Sequence, residues 1–296
     1  MMAKFRMSDL GLLSFYLGIE VKQGGGEIIL SQSAYAGKLL ECAGMADCNP
    51  THIPMEPRLH LSRNGTEPLV DATDYRNIIG GLRYLTHTRP DILFAVGYVS
   101  RFLEAPSTAH LAVAKHLLRY IAGTCRYGCR YTKGGETKLV GYSDSDMAGD
   151  VDDRKSTSGN IFFVGGAPIT WQSQKQKIVA LSSCEAEYVA ATIASCQAIW
   201  LSRLSRLMGD LFMEEHGAVT IFVDNKSAIQ LCKNPVFHDR SKHIDVRFHF
   251  IRRCIEEGKI KVEYISTGDQ LADMFTKSLG RTRFQKLHAR IGMVEV

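Results

Sequence analysis

No C-x-x-C pair occurs among the 8 cysteines of this 296-residue chain. The closest two, Cys125 and Cys129, have no histidine near enough to complete a zinc pattern, so a zinc-ribbon or finger class is excluded. Scattered single cysteines read as reduced thiols of an intracellular protein, cytoplasmic or nuclear. Long apolar runs are also missing, and no stretch reaches the length of a membrane span. The run LGLLSFYLGI lies between Asp9 and Glu20 and lacks a small-residue cleavage pattern, so we expect a strand pair there and no signal peptide. Internal repeats and low-complexity tracts are absent. Charge of one sign is not in great excess either. Net charge is +5, with 16 Lys/Arg against 12 Asp/Glu in residues 1–140 and 20 against 19 in residues 141–296. A mildly basic front half is compatible with nucleic acid without demanding it.

What remains is an ordinary globular composition, 45% hydrophobic and 23% charged, with enough chain for one large or two ordinary cores. Residues 13–31 read as two β-rich runs joined by a Gly-rich turn. Helical patterns follow from Ser33 to about Met45, through DATDYRNIIGGLRYLTHT, through ILFAVGYVSRFL and through STAHLAVAKHLLRYIAGT. Gly134-Gly135 interrupts the pattern and marks the best boundary, giving units 1–134 and 135–296. Beyond it lie three strand-like runs, a long helix from about Cys184 to Met208, the strand VTIFVD, two more helices, the strand KIKVEYIS and a terminal helix expected from Asp269.

Four carboxylates fall at strand ends and helix starts in this second unit. Asp144 and Asp224 end strands, where side chains of α/β sheets line a ligand crevice. Ser182 and Glu185 have capping-box spacing, which leaves Glu187 for other work. Ala190, Ala191 and Ala194 form a small-residue stripe that lets this helix lie close to the sheet and point Glu187 inward. Asp269 is the expected N-cap of the last helix, with Asp273 one turn further in. Each acid alone reads as a solvated surface charge. Four converging carboxylates, however, can hold two divalent cations, the equipment for cutting a phosphodiester bond.

The order strand-Asp, helix-Glu, strand-Asp, helix-Asp resembles ribonuclease H. The wording of GYSDSDMAGD, DRKSTSGNIFF, ITWQSQKQ, VALSSCEAEYVA, VDNKSAI, NPVFHDRSKHIDVRFHFIR and QLADMFTK is similar to the ribonuclease H of copia-type retrotransposons. In the front half, YLGIEV, LSQSAYAGKLLE, DYRNIIGGLRYLTHTRPDILFAV and LLRYIAGT resemble the end of the same polyprotein's reverse transcriptase. Met147 and Cys184 depart from the residues usual in the family, and the Tyr-x-Asp-Asp polymerase motif is absent from the chain.

The resemblance implies an α/β chain: a ribonuclease H-like domain with a mixed five-stranded sheet and flanking helices, preceded by a partial reverse-transcriptase palm hairpin and thumb or connection helices. It implies Mg²⁺- or Mn²⁺-dependent hydrolysis of the RNA strand of an RNA–DNA hybrid, with two ions held by Asp144, Glu187, Asp224 and Asp273. No polymerase activity is expected, and the missing reverse-transcriptase palm and fingers would be a partner of the front half. A non-catalytic nucleic-acid-binding remnant is the alternative function. Arg154, Lys155, Lys175 and Lys177 are candidates for phosphate contacts or are solvated turn charges. His243 either sits near the scissile phosphate or serves as a surface or helix-start residue.

Overall fold

The computed structural model describes residues 11–134, 138–208, 217–233 and 245–296. His243 lies outside the described residues. The front part begins with β1 (Phe15–Tyr16), β2 (Ile19–Gly24) and β3 (Glu27–Ser31). The β2–β3 turn is Gly25-Gly26, with φ of 60° and 83°, a left-handed pair that side chains rarely adopt. Helices α1 (Ser33–Cys42), α2 (Ala72–Leu85), α3 (Leu93–Val99) and α4 (Thr108–Ala122) follow, then β4 (Tyr127–Thr132). Asp71 caps α2 by accepting from the backbone nitrogens of Thr73 and Asp74 at 2.7 and 3.0 Å. β4 lies just ahead of Gly134, where the sequence reading named no strand.

The second part runs β5 (Leu139–Ser145), β6 (Thr157–Val164), β7 (Ala167–Lys175), α5 (Ser183–Met208), β8 (Val219–Val223), α6 (Lys226–Lys233), α7 (Asp245–Glu256), β9 (Ile260–Tyr264), α8 (Arg281–Arg290) and β10 (Met293–Glu295). Its sheet has the order β7-β6-β5-β8-β9. β5 is antiparallel to β6 and parallel to β8, and β8 is parallel to β9, so the expected mixed five-stranded sheet is present. The first sheet has the order β1-β2-β3-β4-β10: the last strand of the chain returns to pair with β4.

Alternation along β6 explains how the parts meet. Phe162 points into a core with α5, α6, α7 and β8, whereas Ile161 and Phe163 point into the core built by α1 to α4, α8 and the 271–279 segment. The second sheet is thus covered on both faces, and seven of the eight β6 residues are buried.

The helix expected to start at Asp269 does not form there. Two short 3-10 turns, Thr267–Asp269 and Leu271–Phe275, precede α8. The Gln270 amide is the physical reason. Its oxygen accepts from Ala272 N at 3.1 Å while its nitrogen donates to Ser143 O at 2.9 Å, which pins a tight turn to the end of β5. Asp269 is not a cap. It accepts from Ser266 Oγ and pairs with Arg290 at 2.9 Å.

Candidate active site

β5, β8 and α5 each deliver one carboxylate to the same place. Asp144 is the sixth residue of β5, and its β6 partner is Gly159. A Cβ on Gly159 would lie 2.7 Å from Phe275 Cβ and 2.8 Å from Thr276 Cγ2, so only glycine admits the 271–276 segment beside Asp144. Asp224 follows the last residue of β8. Its neighbour Asn225 caps α6 by accepting from Ala228 N at 3.0 Å, which leaves Asp224 uncommitted to the helix. Glu187 lies near the start of α5. Glu185 is occupied as expected: Leu181 N donates to its Oε2 at 3.0 Å, and its own N donates to Ser182 Oγ at 3.2 Å. Ala190, Ala191 and Ala194 are buried against the sheet, which brings Glu187 in with them.

Among the described residues, one carboxylate oxygen each of Asp144, Glu187 and Asp224 lie within 4.8 Å of one another. Glu187 Oε2 is buried and has no hydrogen-bond partner. Burial, then the charges of Asp144 and Asp224, pushes the Glu187 carboxyl up to about 10. Burial likewise raises Asp144 to about 7, with Lys277 opposing and Asp273 adding to the rise. Glu187 and Asp144 are thus held toward their protonated forms unless further positive charge enters among the clustered oxygens.

Asp273 is fully buried next to this group, but its oxygens face cations. Lys277 Nζ is 2.7 Å from Asp273 Oδ1 and 3.4 Å from Asp144 Oδ2, and Arg283 bonds Asp273 Oδ2. Thr276 Oγ1 donates to Asp144 Oδ2. Sequence reasoning missed Lys277, Arg283, Thr276 and Gln270 as neighbours of the site. It also missed Asp146, which alternation puts on the same side of β5 as Asp144. Burial raises Asp146 to about 6, against a hydrogen bond from Thr157 N.

The basic candidates sit on the loop between β5 and β6 and at the end of β7. Lys175 is committed to Asp150 at 2.6 Å and Asp153 at 2.9 Å, and Lys155 lies 3.5 Å from Asp153. Arg154 is exposed with a left-handed φ of 56°, and Lys177 is exposed. Trp171 is half-buried against the core and donates to Thr86 O at 2.9 Å.

Strand order, parallel pairing of β5 with β8 and carboxylates at adjacent strand ends define an α/β domain of ribonuclease H type. A protein-family model described as reverse transcriptase (RNA-dependent DNA polymerase) matches residues 1–57. The Retrovirus-related Pol polyprotein from transposon RE1 of Arabidopsis thaliana is 42% identical over 293 residues, 99% of this chain and 20% of that protein. An uncharacterized mitochondrial protein of the same plant is 38% identical over 198 residues, 67% of this chain and 82% of that protein. Among solved structures, the N-terminal RNase H domain of rv2228c from Mycobacterium tuberculosis covers 52% of this chain and 98% of that chain at TM-score 0.35 and 13% identity. The strand order, rather than this superposition, defines the fold. The chain is a relative of the copia-type retrotransposon Pol polyproteins over nearly its whole length, and it spans about a fifth of the length of the Pol polyprotein it matches. No helix of the described residues is long and apolar enough to cross a membrane.

Proposed function

We propose that residues 135–296 form a metal-dependent ribonuclease that hydrolyses the RNA strand of RNA–DNA hybrids, and that residues 1–134 are the end of a reverse transcriptase. The observation that carries the reading is the convergence of Asp144, Glu187 and Asp224 within 4.8 Å, with a buried Glu187 oxygen left unpartnered. An all-oxygen, all-carboxylate donor set fits a hard divalent cation, Mg²⁺ or Mn²⁺. Such an ion would supply the Lewis acidity and positive charge that phosphodiester hydrolysis needs.

The chain's own residues set up the rest. Thr276 orients the Asp144 carboxylate through its hydroxyl, and Gln270 fixes the end of β5 by holding Ser143 O. Glu187, protonated at neutral pH without a cation, gives up its proton when positive charge enters the site. Asp273 completes the acidic set beside Asp144. Arg154 and Lys177 are free to meet phosphates, while Lys155 and Lys175 shape the loop through Asp150 and Asp153. Choice of RNA over DNA rests on contacts to 2′-hydroxyls. The β1 edge, with Leu12, Leu13, Phe15, Tyr16 and Leu17 all exposed, is the surface for the preceding palm and fingers.

The test is cleavage of matched RNA–DNA, RNA–RNA and DNA–DNA duplexes with Mg²⁺ or Mn²⁺. Cutting of the RNA strand in the hybrid alone, lost on chelation and in Asp224→Asn, is the expected result. Equal cutting of the DNA duplex, or binding of the hybrid with no cutting by the parent, would defeat it.

A further inference from the structure

Lys277 occupies the ground between the two acids that a second divalent ion would have to share. Its Nζ lies 2.7 Å from Asp273 Oδ1 and 3.4 Å from Asp144 Oδ2. Asp273 has no exposed carboxylate surface, and its other oxygen is bonded by Arg283. The charge of Asp273 is therefore already neutralised from within the chain. Asp144, Glu187 and Asp224 stand in contrast: buried Asp273 Oδ1 and buried Glu187 Oε2 both lack a hydrogen bond, but only the former has an ammonium at 2.7 Å, and Asp144 reaches Lys277 only at 3.4 Å. One side of the site lacks a cation and the other side carries its own.

We propose that Lys277 is a built-in cation that limits this site to one tightly held divalent ion, on Asp144, Glu187 and Asp224, and keeps Asp273 out of the ligand set until the ammonium withdraws. The inference rests on the nuclease reading for the identity of the ion, but not on cleavage. A lysine suits this role. It carries a compact charge on a four-carbon stem, and the Lys277 side chain is 41% exposed, so it can swing toward solvent without breaking the core. Arg283 holds the second Asp273 oxygen meanwhile, so the carboxylate keeps its orientation. Lys277 is thus a positioning residue, acting through Asp144 and Asp273 on what the site can bind.

The experiment is a Mn²⁺ titration of the full 296-residue chain, without nucleic acid and at fixed ionic strength, read by the electron paramagnetic resonance of free Mn²⁺. Parent, Lys277→Met, Lys277→Arg and Asp273→Asn are compared, with thermal melts in EDTA alongside. The parent should take up one ion tightly. Lys277→Met should take up a second ion, or bind the first at least tenfold more tightly, and its melting temperature in EDTA should fall as the acids lose their internal cation. Lys277→Arg, which keeps a charge, should bind one ion as the parent does. Asp273→Asn should retain the one tight ion. Parental stoichiometry and affinity in Lys277→Met, or loss of the tight ion in Asp273→Asn, overturns the proposal and leaves the nuclease reading standing. Should Lys277→Met fail to fold, two tight ions in the parent or in Lys277→Arg would overturn it equally. No Mn²⁺ uptake by the folded parent would overturn both.

Discussion

Replacing Glu187 by glutamine should stabilise the metal-free protein at neutral pH, although the residue is buried in the core of the site. Glu187 is 6% exposed, and burial together with Asp144 and Asp224 lifts its carboxyl from 4.5 to about 10. A carboxyl raised in this way binds its proton more tightly folded than unfolded. Folding is therefore penalised as pH rises above 4.5, and the penalty grows until pH reaches about 10. Each unit of separation is worth about 1.4 kcal/mol, so the parent at pH 7 has lost roughly 3 kcal/mol relative to the fully protonated site. At pH 5 the loss is under about 1 kcal/mol. Glutamine keeps the shape and cannot ionise, so Glu187→Gln escapes this loss. Urea unfolding in EDTA at pH 5 and pH 7 measures the difference. The variant should exceed the parent by roughly 3 kcal/mol at pH 7 and by well under half of that at pH 5. Mg²⁺ at pH 7 should then raise the parent's stability and leave the variant's almost unchanged, since a ligand stabilises by mass action only the form that binds it. A gap that is equal at both pH values, or a variant weaker than the parent at pH 7, would refute the reasoning.

Asp224→Asn should abolish hybrid cleavage, leave the metal-free melting temperature at or slightly above the parental value, and shrink the rise that Mg²⁺ gives; a marked drop in EDTA with an unchanged Mg²⁺ response would make Asp224 structural. Gly159→Ala should destabilise by about 1–3 kcal/mol, because its Cβ must displace Phe275, Thr276 or the Ala272 carbonyl. Hybrid cleavage should weaken with it, and a variant as stable and active as the parent would mean that the 271–276 segment yields freely. Arg89→Met should cost about 3–5 kcal/mol in urea unfolding, since it leaves Asp91 buried without the guanidinium that bonds it at 2.8 and 2.9 Å. The 296-residue chain should not extend a primer on an RNA template, because the Tyr-x-Asp-Asp motif is absent from it.

The parts of the site that could be read from the chain are those decided locally. Alternation carries GYSDSD into Asp144, the apolar run of β8 stops at Asp224, and an alanine stripe one turn beyond Glu187 leaves little choice about which face of α5 meets the sheet. Ser182 with Glu185, read from their spacing, separates helix chemistry from site chemistry beside Glu187, and Asn225, which the reading did not single out, does the same beside Asp224. Other features depend on partners far away in the chain. Gln270 turns the segment before Asp273 by bonding Ser143, 127 residues earlier, so local pattern suggested a cap at Asp269 and a helix where two 3-10 turns stand. Lys277 gains its meaning from Asp144, which nothing in QLADMFTK reveals. β10 has three residues, too few for any period, and exists because β4 offers it an edge.

Those distant partners also bind the two parts of the chain into one physical unit. α8 presents Arg283 to Asp273 on one side, while Phe284 and His288, adjacent on the next face, meet the front part. Phe284 packs edge-on against Tyr120 at 5.7 Å, and His288 lies 3.7 Å from the buried Asp91 carboxylate. Asp91 in turn accepts from Arg89 and from the Tyr120 hydroxyl at 2.7 Å; burial would raise its pKa, but the guanidinium holds it well below the usual carboxylate range. The helix that steadies Asp273 is therefore itself seated on an ion pair belonging to the front part of the chain. Buried charge of this kind tolerates little displacement, because losing one partner strands the other. A change at Arg89 or Asp91 should reach the acidic site through α8 without touching any carboxylate in it, which is a physical reason for the two parts to be retained together.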